Sequence, residues 1–185
     1  MFACPVAERT ELRLLEERHA DELALLVDRN REHLRAWLPW VDGSRTPADA
    51  RIFIAGAMRR WGQNNGFTAG IWHEGEMAGT IGLHAIDWSS RASSIGYWIG
   101  SDFQGKGIAT AACRAVLDHA FGALGLNRVE IRCAPANRRS RAVPERLGFT
   151  KEGTLRQVQL LYDRYTDLVV YAMLADEWIG REMGA

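Results

Sequence analysis

The stretch best suited to chemistry is Ile95-Gly96-Tyr97-Trp98-Ile99-Gly100-Ser101-Asp102-Phe103-Gln104-Gly105-Lys106-Gly107-Ile108-Ala109. It reads as a strand, a glycine-containing loop and the start of a helix. The first turn of a helix presents unpaired backbone N–H groups and the positive end of the helix dipole. Gly105 and Gly107 lack side chains, so an anion can come close to the backbone there. Such a turn suits a phosphate or pyrophosphate. A Walker loop is excluded because its spacing is absent. GxGxxG is excluded because Ala109 and Thr110, not a third glycine, follow Gly105-Lys106-Gly107. The glycines alone are equally compatible with a plain turn before an amphipathic helix.

Other residue types widen the list. His84 titrates near neutrality and is a candidate general base, with a hydrogen-bonded strand histidine as the competing reading. Asp87, Glu130 and Glu152 are further candidates for that role. Cys133 suggests an acyl-cysteine route, but its alternation with Val129 and Ile131 reads as a buried apolar position. Arg138, Arg139 and Arg141 form a basic turn that is either solvated or meets a phosphate. Trp37 and Trp40 flank Pro39 ahead of a loop, where they form a substrate wall or pack into the core; most of the seven tryptophans read as core.

Composition removes several classes. The chain has 185 residues, 47% of them hydrophobic, which suits one globular domain over residues 1–185. Lys plus Arg and Asp plus Glu are both 23, so the basic excess of a nucleic-acid binder is missing. Cys4, Cys113 and Cys133 are odd in number and contain no CxxC, which predicts neither a disulfide framework nor a metal site. The segment from Met1 to Pro5 has no basic or apolar leader character, and no apolar run would span a bilayer. A reducing cytoplasm with no membrane partner is the expectation.

The elements that must position these groups can be read from periodicity. Glu8 to Leu15 predicts a first strand, Ala20 to Asn30 a helix, and Arg31 to Trp37 a second short one ended by Pro39. Asp42-Gly43-Ser44 is a loop. Thr46-Pro47-Ala48-Asp49 starts a helix that runs to about Asn64, with Thr46 as cap and Pro47 in the first turn. Phe67 to His73, Met77 to Asp87 and Ser93 to Gly100 form a three-strand meander. Ile108 to Leu124 is a long helix capped at Gly125, Asn127 to Ala134 a strand, and Ser140 to Leu147 a helix closed by Gly148. Phe149 to Thr154 and Asp167 to Leu174 supply the last strands. This order is mixed α/β without strict βαβα alternation, which argues against a doubly wound nucleotide fold.

Two motifs in register then narrow the reading. Gln104-x-x-Gly107-x-Ala109 resembles the Q/R-x-x-G-x-G/A signature of the GNAT acyltransferase superfamily. Asn137-x-x-Ser140, followed by Glu145-x-Leu147-Gly148-Phe149, is similar to its N-x-x-S…E-x-L-G-F segment. Asn30-x-x-His33-Leu34-x-x-Trp37-Leu38-Pro39-Trp40 resembles the RimJ/RimL branch, as does Gly153-x-Leu155-Arg156…Asp167…Glu177-Trp178.

The resemblance implies the GNAT fold, a mainly antiparallel sheet flanked by helices, with acetyl-CoA as donor and a possible homodimer. It implies that a strand through Trp98, Ile99 and Gly100 splays from its neighbour to pair with pantetheine, and that the Ile99 N–H polarises the thioester carbonyl. The amides of Gln104, Gly105, Lys106, Gly107, Ile108 and Ala109 would hold the pyrophosphate, Asn137 the pantetheine, and Ser140 the departing thiolate. Ser140 is also a natural helix cap. Many relatives carry Glu where this chain has Ser94, so a base must come from elsewhere, His84 first. Tyr162 and Tyr165 are candidate acids whose loop the sequence does not place. The implied acceptor is a protein or peptide N-terminal amine; a small amine and a non-catalytic acyl-CoA-binding module are the alternatives.

Overall fold

The computed structural model describes residues 3–182; Met1 and Phe2 of the N-terminal segment lie outside the described residues. Eight strands form one sheet in the order β1-β2-β3-β4-β5-β6-β8-β7. They are β1 Ala3–Ala7, β2 Thr10–Leu14, β3 Phe67–His73, β4 Glu76–Leu83, β5 Ala92–Ile99, β6 Arg128–Cys133, β7 Thr150–Leu161 and β8 Arg164–Leu174. Every neighbouring pair is antiparallel except β5 and β6. That single parallel pair matters most. β5 and β6 pair from Ala92–Arg128 to Ile95–Ile131 and then separate, while β5 stays on β4 through Ile99. A wedge therefore opens in the middle of the sheet.

Helices cover both faces. α1 Ala20–Arg29, α2 Arg31–Arg35 and α3 Pro47–Gly62 lie on one, and α4 Ile108–Asp118, α5 Arg138–Arg146 and α6 Ala175–Glu182 on the other. Two buried clusters record this. Ile71, Ile81, Ile95 and Ile131 pack against Ala112, Cys113 and Val116 of α4. Trp72 and Met77 pack against Leu23, Val27 and Ile54 of α1 and α3. Side chains alternate across a strand, so β5 sends Ile95 into the α4 layer and Trp98 against the α1–α3 layer.

Several expectations hold closely, including the β3–β4–β5 meander and the start of α3. Thr46 Oγ1 accepts from Asp49 N at 3.2 Å while Asp49 Oδ2 accepts from Thr46 N at 2.9 Å, a reciprocal cap with Pro47 in the first turn. Other boundaries move. Glu8 and Arg9 form a turn between β1 and β2 rather than the start of one strand. β1 was masked by Pro5 and by its exposure, both tolerated on an edge. The long helix ends at Asp118 and continues as a wider π turn, His119–Ala123, before Gly125. α5 begins at Arg138, two residues earlier than expected, with Asn137 as cap. The last hairpin is far longer than expected: β7 is almost wholly exposed and is interrupted by irregularities, so it carries no apolar period. The tryptophans are also less buried than expected. Trp72 and Trp178 are in the core, whereas Trp40, Trp61 and Trp88 are exposed.

Candidate active site

The glycine loop is built as its residue types require. Gly105 and Gly107 adopt φ of 76° and 74°, left-handed values that favour glycine. Open space surrounds both, with no atom within 4 Å of where a Cβ would stand. Gly107 is the residue before α4, and the first bond of that helix runs from Ala111 N to Gly107 O at 3.0 Å. The amides of Ile108, Ala109 and Thr110 thus face outward from the helix end. One expectation needs correction here. The Gln104 amide closes a 3-10 turn on Ser101 O at 3.2 Å, so it does not belong to the open set. The Lys106 ammonium stands over the Phe103 ring at 5.5 Å.

The N-terminal motif explains itself in this setting. Asn30 is buried, and its Oδ1 accepts from Ser101 N at 2.7 Å and from Ser101 Oγ at 2.9 Å; its Nδ2 donates to Leu26 O at 2.9 Å. Three residues on, His33 Nε2 meets Gln104 Nε2 at 2.6 Å, while Arg139 donates to Gln104 Oε1. With the amide as donor, His33 carries its proton on Nδ1. Burial, then the charge of Arg139, lowers the His33 pKa from its usual value, and the Ile99 backbone opposes this. The Asn-x-x-His spacing ties α1 and α2 to the loop that follows β5.

Along β5, His84 N donates to Ser94 O at 2.8 Å and Gly100 N donates to Ala78 O at 2.9 Å. Even-numbered residues thus turn their backbone groups toward β4, and Tyr97 and Ile99 turn theirs into the wedge. Across it stands Ser140. Ser140 Oγ donates to Tyr97 Oη at 3.3 Å and lies 3.2 Å from Cys133 Sγ, while Tyr97 Oη donates to Ser140 O at 2.8 Å. Ser140 is not the cap of α5: Asn137 Oδ1 takes that place, accepting from Ser140 N at 3.1 Å. Burial raises the Cys133 thiol above its usual range, which keeps it protonated and disfavours an acyl-cysteine route. Tyr97 is a residue the sequence reading missed as a partner of Ser140; its place in Gly96-Tyr97-Trp98 was the available signal.

On the α1–α3 face, Thr68, Gly82 and Gly96 lie opposite one another on β3, β4 and β5. His84 follows β4 rather than lying within it, and its ring covers Gly96, where a Cβ would come within 2.6 Å of Nε2. Its Nδ1 bonds Ser94 Oγ at 2.9 Å. The ring lines the cleft wall; enclosure by protein, then the charges of Arg60 and Arg132, lower its pKa from 6.5. The other base candidates are engaged elsewhere. Asp87 holds Ser89 and Ser90 in a turn that brings its pKa to about 2, and Glu130 and Glu152 both pair with Arg128. Tyr162 donates to Leu38 O at 2.8 Å outside the main cleft, and Tyr165 is exposed and also outside it.

All of this opens on one cleft of about 2310 Å³, which Trp37 and Trp40 also line. Trp40 packs at 5.9 Å from the Trp98 ring. Arg138 and Arg139 line the cleft, joined by Arg114 and Arg146, which the sequence reading did not select. Arg141 turns away to Tyr171 Oη at 2.9 Å and to Glu145, so it leaves the basic set.

Residues 9–150 match the acetyltransferase (GNAT) domain family. The chain belongs to that family. It is 42% identical over 183 residues to a putative ribosomal N-acetyltransferase, YdaF, of Bacillus subtilis (strain 168), covering 98% of this chain and all of the relative. It is 31% identical to the ribosomal-protein-serine acetyltransferase of Escherichia coli (strain K12), covering 92% and 96% of the two chains. The solved structure of RimL, a ribosomal L7/L12 alpha-N-protein acetyltransferase in complex with coenzyme A, superposes with a TM-score of 0.91 at 31% identity, covering 95% and 99%. The chain is an acetyltransferase of this family.

Proposed function

We propose that this chain is a single-domain N-acetyltransferase that moves the acetyl group of acetyl-CoA to the N-terminal α-amine of a protein, as its ribosomal-protein-acetylating relatives do. The observation that carries the reading is the wedge between β5 and β6. The glycine loop lies at one end and a histidine over a glycine floor at the other. The open amides at Ile108, Ala109 and Thr110 suit a pyrophosphate, and the unpaired edge at Tyr97 and Ile99 suits an amide-bearing arm. Arg138 and Arg139 are placed to meet the remaining phosphate.

When bound, acetyl-CoA supplies an acyl group on a thioester. The protein's part is positioning and proton handling. An α-amine has a pKa of about 8, so one proton must leave before attack. His84 Nε2, over Gly96, takes it, and Ser94 fixes the ring through Nδ1. The Ile99 N–H donates to the carbonyl oxygen as negative charge gathers there. The new N–C bond forms as the C–S bond breaks; Ser140 Oγ–H turns from Tyr97 Oη to hydrogen-bond the departing sulfur, and the proton that the acylated nitrogen sheds ends on that sulfur as the free thiol. Trp37 and Trp40 flank the incoming chain. We place the enzyme in the cytoplasm, in keeping with three free cysteines, and as a homodimer whose contact involves the exposed Leu160 and Tyr165 of the last hairpin.

Thiol release from acetyl-CoA, measured with free N-terminal peptides and with small amines, tests the reading. Peptide-dependent release, reduced by Ser140→Ala and His84→Gln, is expected. Release with small amines alone would replace the acceptor assignment, and binding without release to either pool would favour an acyl-CoA-binding module.

A further inference from the structure

Arg60 has no use in the mechanism above, yet it lines the same cleft. It projects from α3, is half-buried, and its Nη2 donates to Thr68 Oγ1 at 3.2 Å. Thr68 begins the row Thr68–Gly82–Gly96, and the far end of that row lies under His84. A guanidinium and an imidazole therefore stand at opposite ends of a floor made of two glycines. Among the described residues no carboxylate lies within ion-pair distance of Arg60, whereas Arg132, also on the cleft, is paired with Glu130. A half-buried guanidinium with five donors and this one side-chain hydrogen bond has unused capacity.

The rest of the chamber sharpens this. Among the described residues the one acidic side chain lining the cleft is Asp49, whose Oδ2 already accepts from Arg45 N, Thr46 N and Thr46 Oγ1 at the start of α3. Among the described residues no free carboxylate lines the cleft to draw in a second positive charge. A polyamine would meet the Arg60 guanidinium with no cleft carboxylate to offset it, since Glu130 is already paired with Arg132. A carboxylate would meet a planar fork suited to two parallel hydrogen bonds. It would also offset the charge that Arg60 places beside His84, so docking an acidic acceptor leaves the imidazole a better base.

We propose that Arg60, with Thr68, is a carboxylate-binding subsite, and that the preferred acceptors are peptides carrying Asp or Glu close to the acetylated N-terminus. This rests on the N-terminal acceptor reading given above. The test is a set of C-terminally amidated peptides, differing by Asp against Asn at the second, third and fourth residues, beside free amino acids with and without their carboxylate. Both kcat/KM and calorimetric binding to the coenzyme A-loaded protein are read for wild type, Arg60→Gln, Arg60→Lys and Arg60→Glu, each checked for native circular dichroism.

Wild type should favour Asp over Asn by about tenfold or more at one position, the scale of one charge-assisted hydrogen bond. Arg60→Gln should bring that ratio near one, Arg60→Lys should keep part of it, and Arg60→Glu should turn the preference toward Lys. Equal use of Asp and Asn peptides by wild type, or a preference that survives Arg60→Gln, overturns the proposal. Loss of carboxylate-dependent turnover in Arg60→Gln seen only with free amino acids would keep the subsite and overturn the protein-acceptor reading instead. Without turnover, carboxylate-dependent binding abolished in Arg60→Gln supports the subsite, and its absence in wild type removes it.

Discussion

Gly96 lacks a side chain where the His84 ring needs the space. An added Cβ would come within 2.6 Å of Nε2 and 2.8 Å of Cε1, so Gly96→Ala has to push the imidazole off its place above the wedge. Displacing a reacting group by about an ångström lowers rates on the order of a hundredfold, and that loss in kcat is the expected outcome. In a His84→Gln background the same alanine should change kcat little, which a double-mutant cycle measures. The ring's protonation gives a second check. Burial and two arginines disfavour the charged form, so the His84 titration should centre below 6.5, leaving the ring neutral and able to accept a proton at pH 7. An NMR titration, assigned by the resonance lost in His84→Gln, reads this directly; a midpoint at or above 6.5 would contradict the environment described. At this scale the spacing of Gln104, Gly107, Asn137 and Ser140 was legible because those residues sit close together in sequence. Arg60 and Thr68 were not, because only strand register across β3, β4 and β5 brings them to His84.

Elements hold the site through a few polar ties that local patterns reveal unevenly. The reciprocal cap at Thr46 was legible, since capping depends on residues three apart. Thr46→Ala should lower stability by about 1 kcal/mol, seen as a fall in Tm of about 2–4 °C, with coenzyme A affinity retained because α3 carries none of the glycine loop. Asn30→Ala should differ in kind. It leaves Ser101 N and Ser101 Oγ without the partner that fixes the start of the loop. A lost buried partner costs about 1–3 kcal/mol, and here both Tm and coenzyme A affinity should fall. Calorimetry on the two variants separates a helix cap from a tie to the loop. β1 and β7 were the illegible elements. Both are sheet edges with most residues exposed, so neither shows the alternation that betrays a half-buried strand. The wedge itself was not readable from pattern either, since Gly96 to Ile99 and Arg132 to Cys133 look like ordinary continuations of their strands; the family resemblance supplied it.

At the scale of the molecule, zero net charge conceals a strong separation. Among the described residues the cleft is lined by Arg60, Arg114, Arg132, Arg138, Arg139 and Arg146, of which Arg132 is paired with Glu130, against Asp49 alone on the acidic side. Composition showed no basic excess and left room for a local cluster without locating it, because a sum over the chain does not record where the charges lie. A polyanion entering the cleft should therefore behave as it would toward a basic protein. Coenzyme A binding is expected to weaken as salt rises, and more steeply than the neutral pI of about 7.0 would suggest, since charges focused in a cleft attract more than their sum over the surface. At a hundred times its Kd the ligand should stabilise the fold by about 2.7 kcal/mol, a rise of about 5–10 °C in Tm for a chain of this size. Thermal shifts at 50 and 500 mM salt with fixed coenzyme A measure both at once. A shift that shrinks with salt in wild type and shrinks less in Arg138→Gln/Arg139→Gln would assign the phosphate contacts to the α5 turn. A salt-independent shift would mean that the first-turn amides of α4 bind the pyrophosphate with little help from the arginines around them.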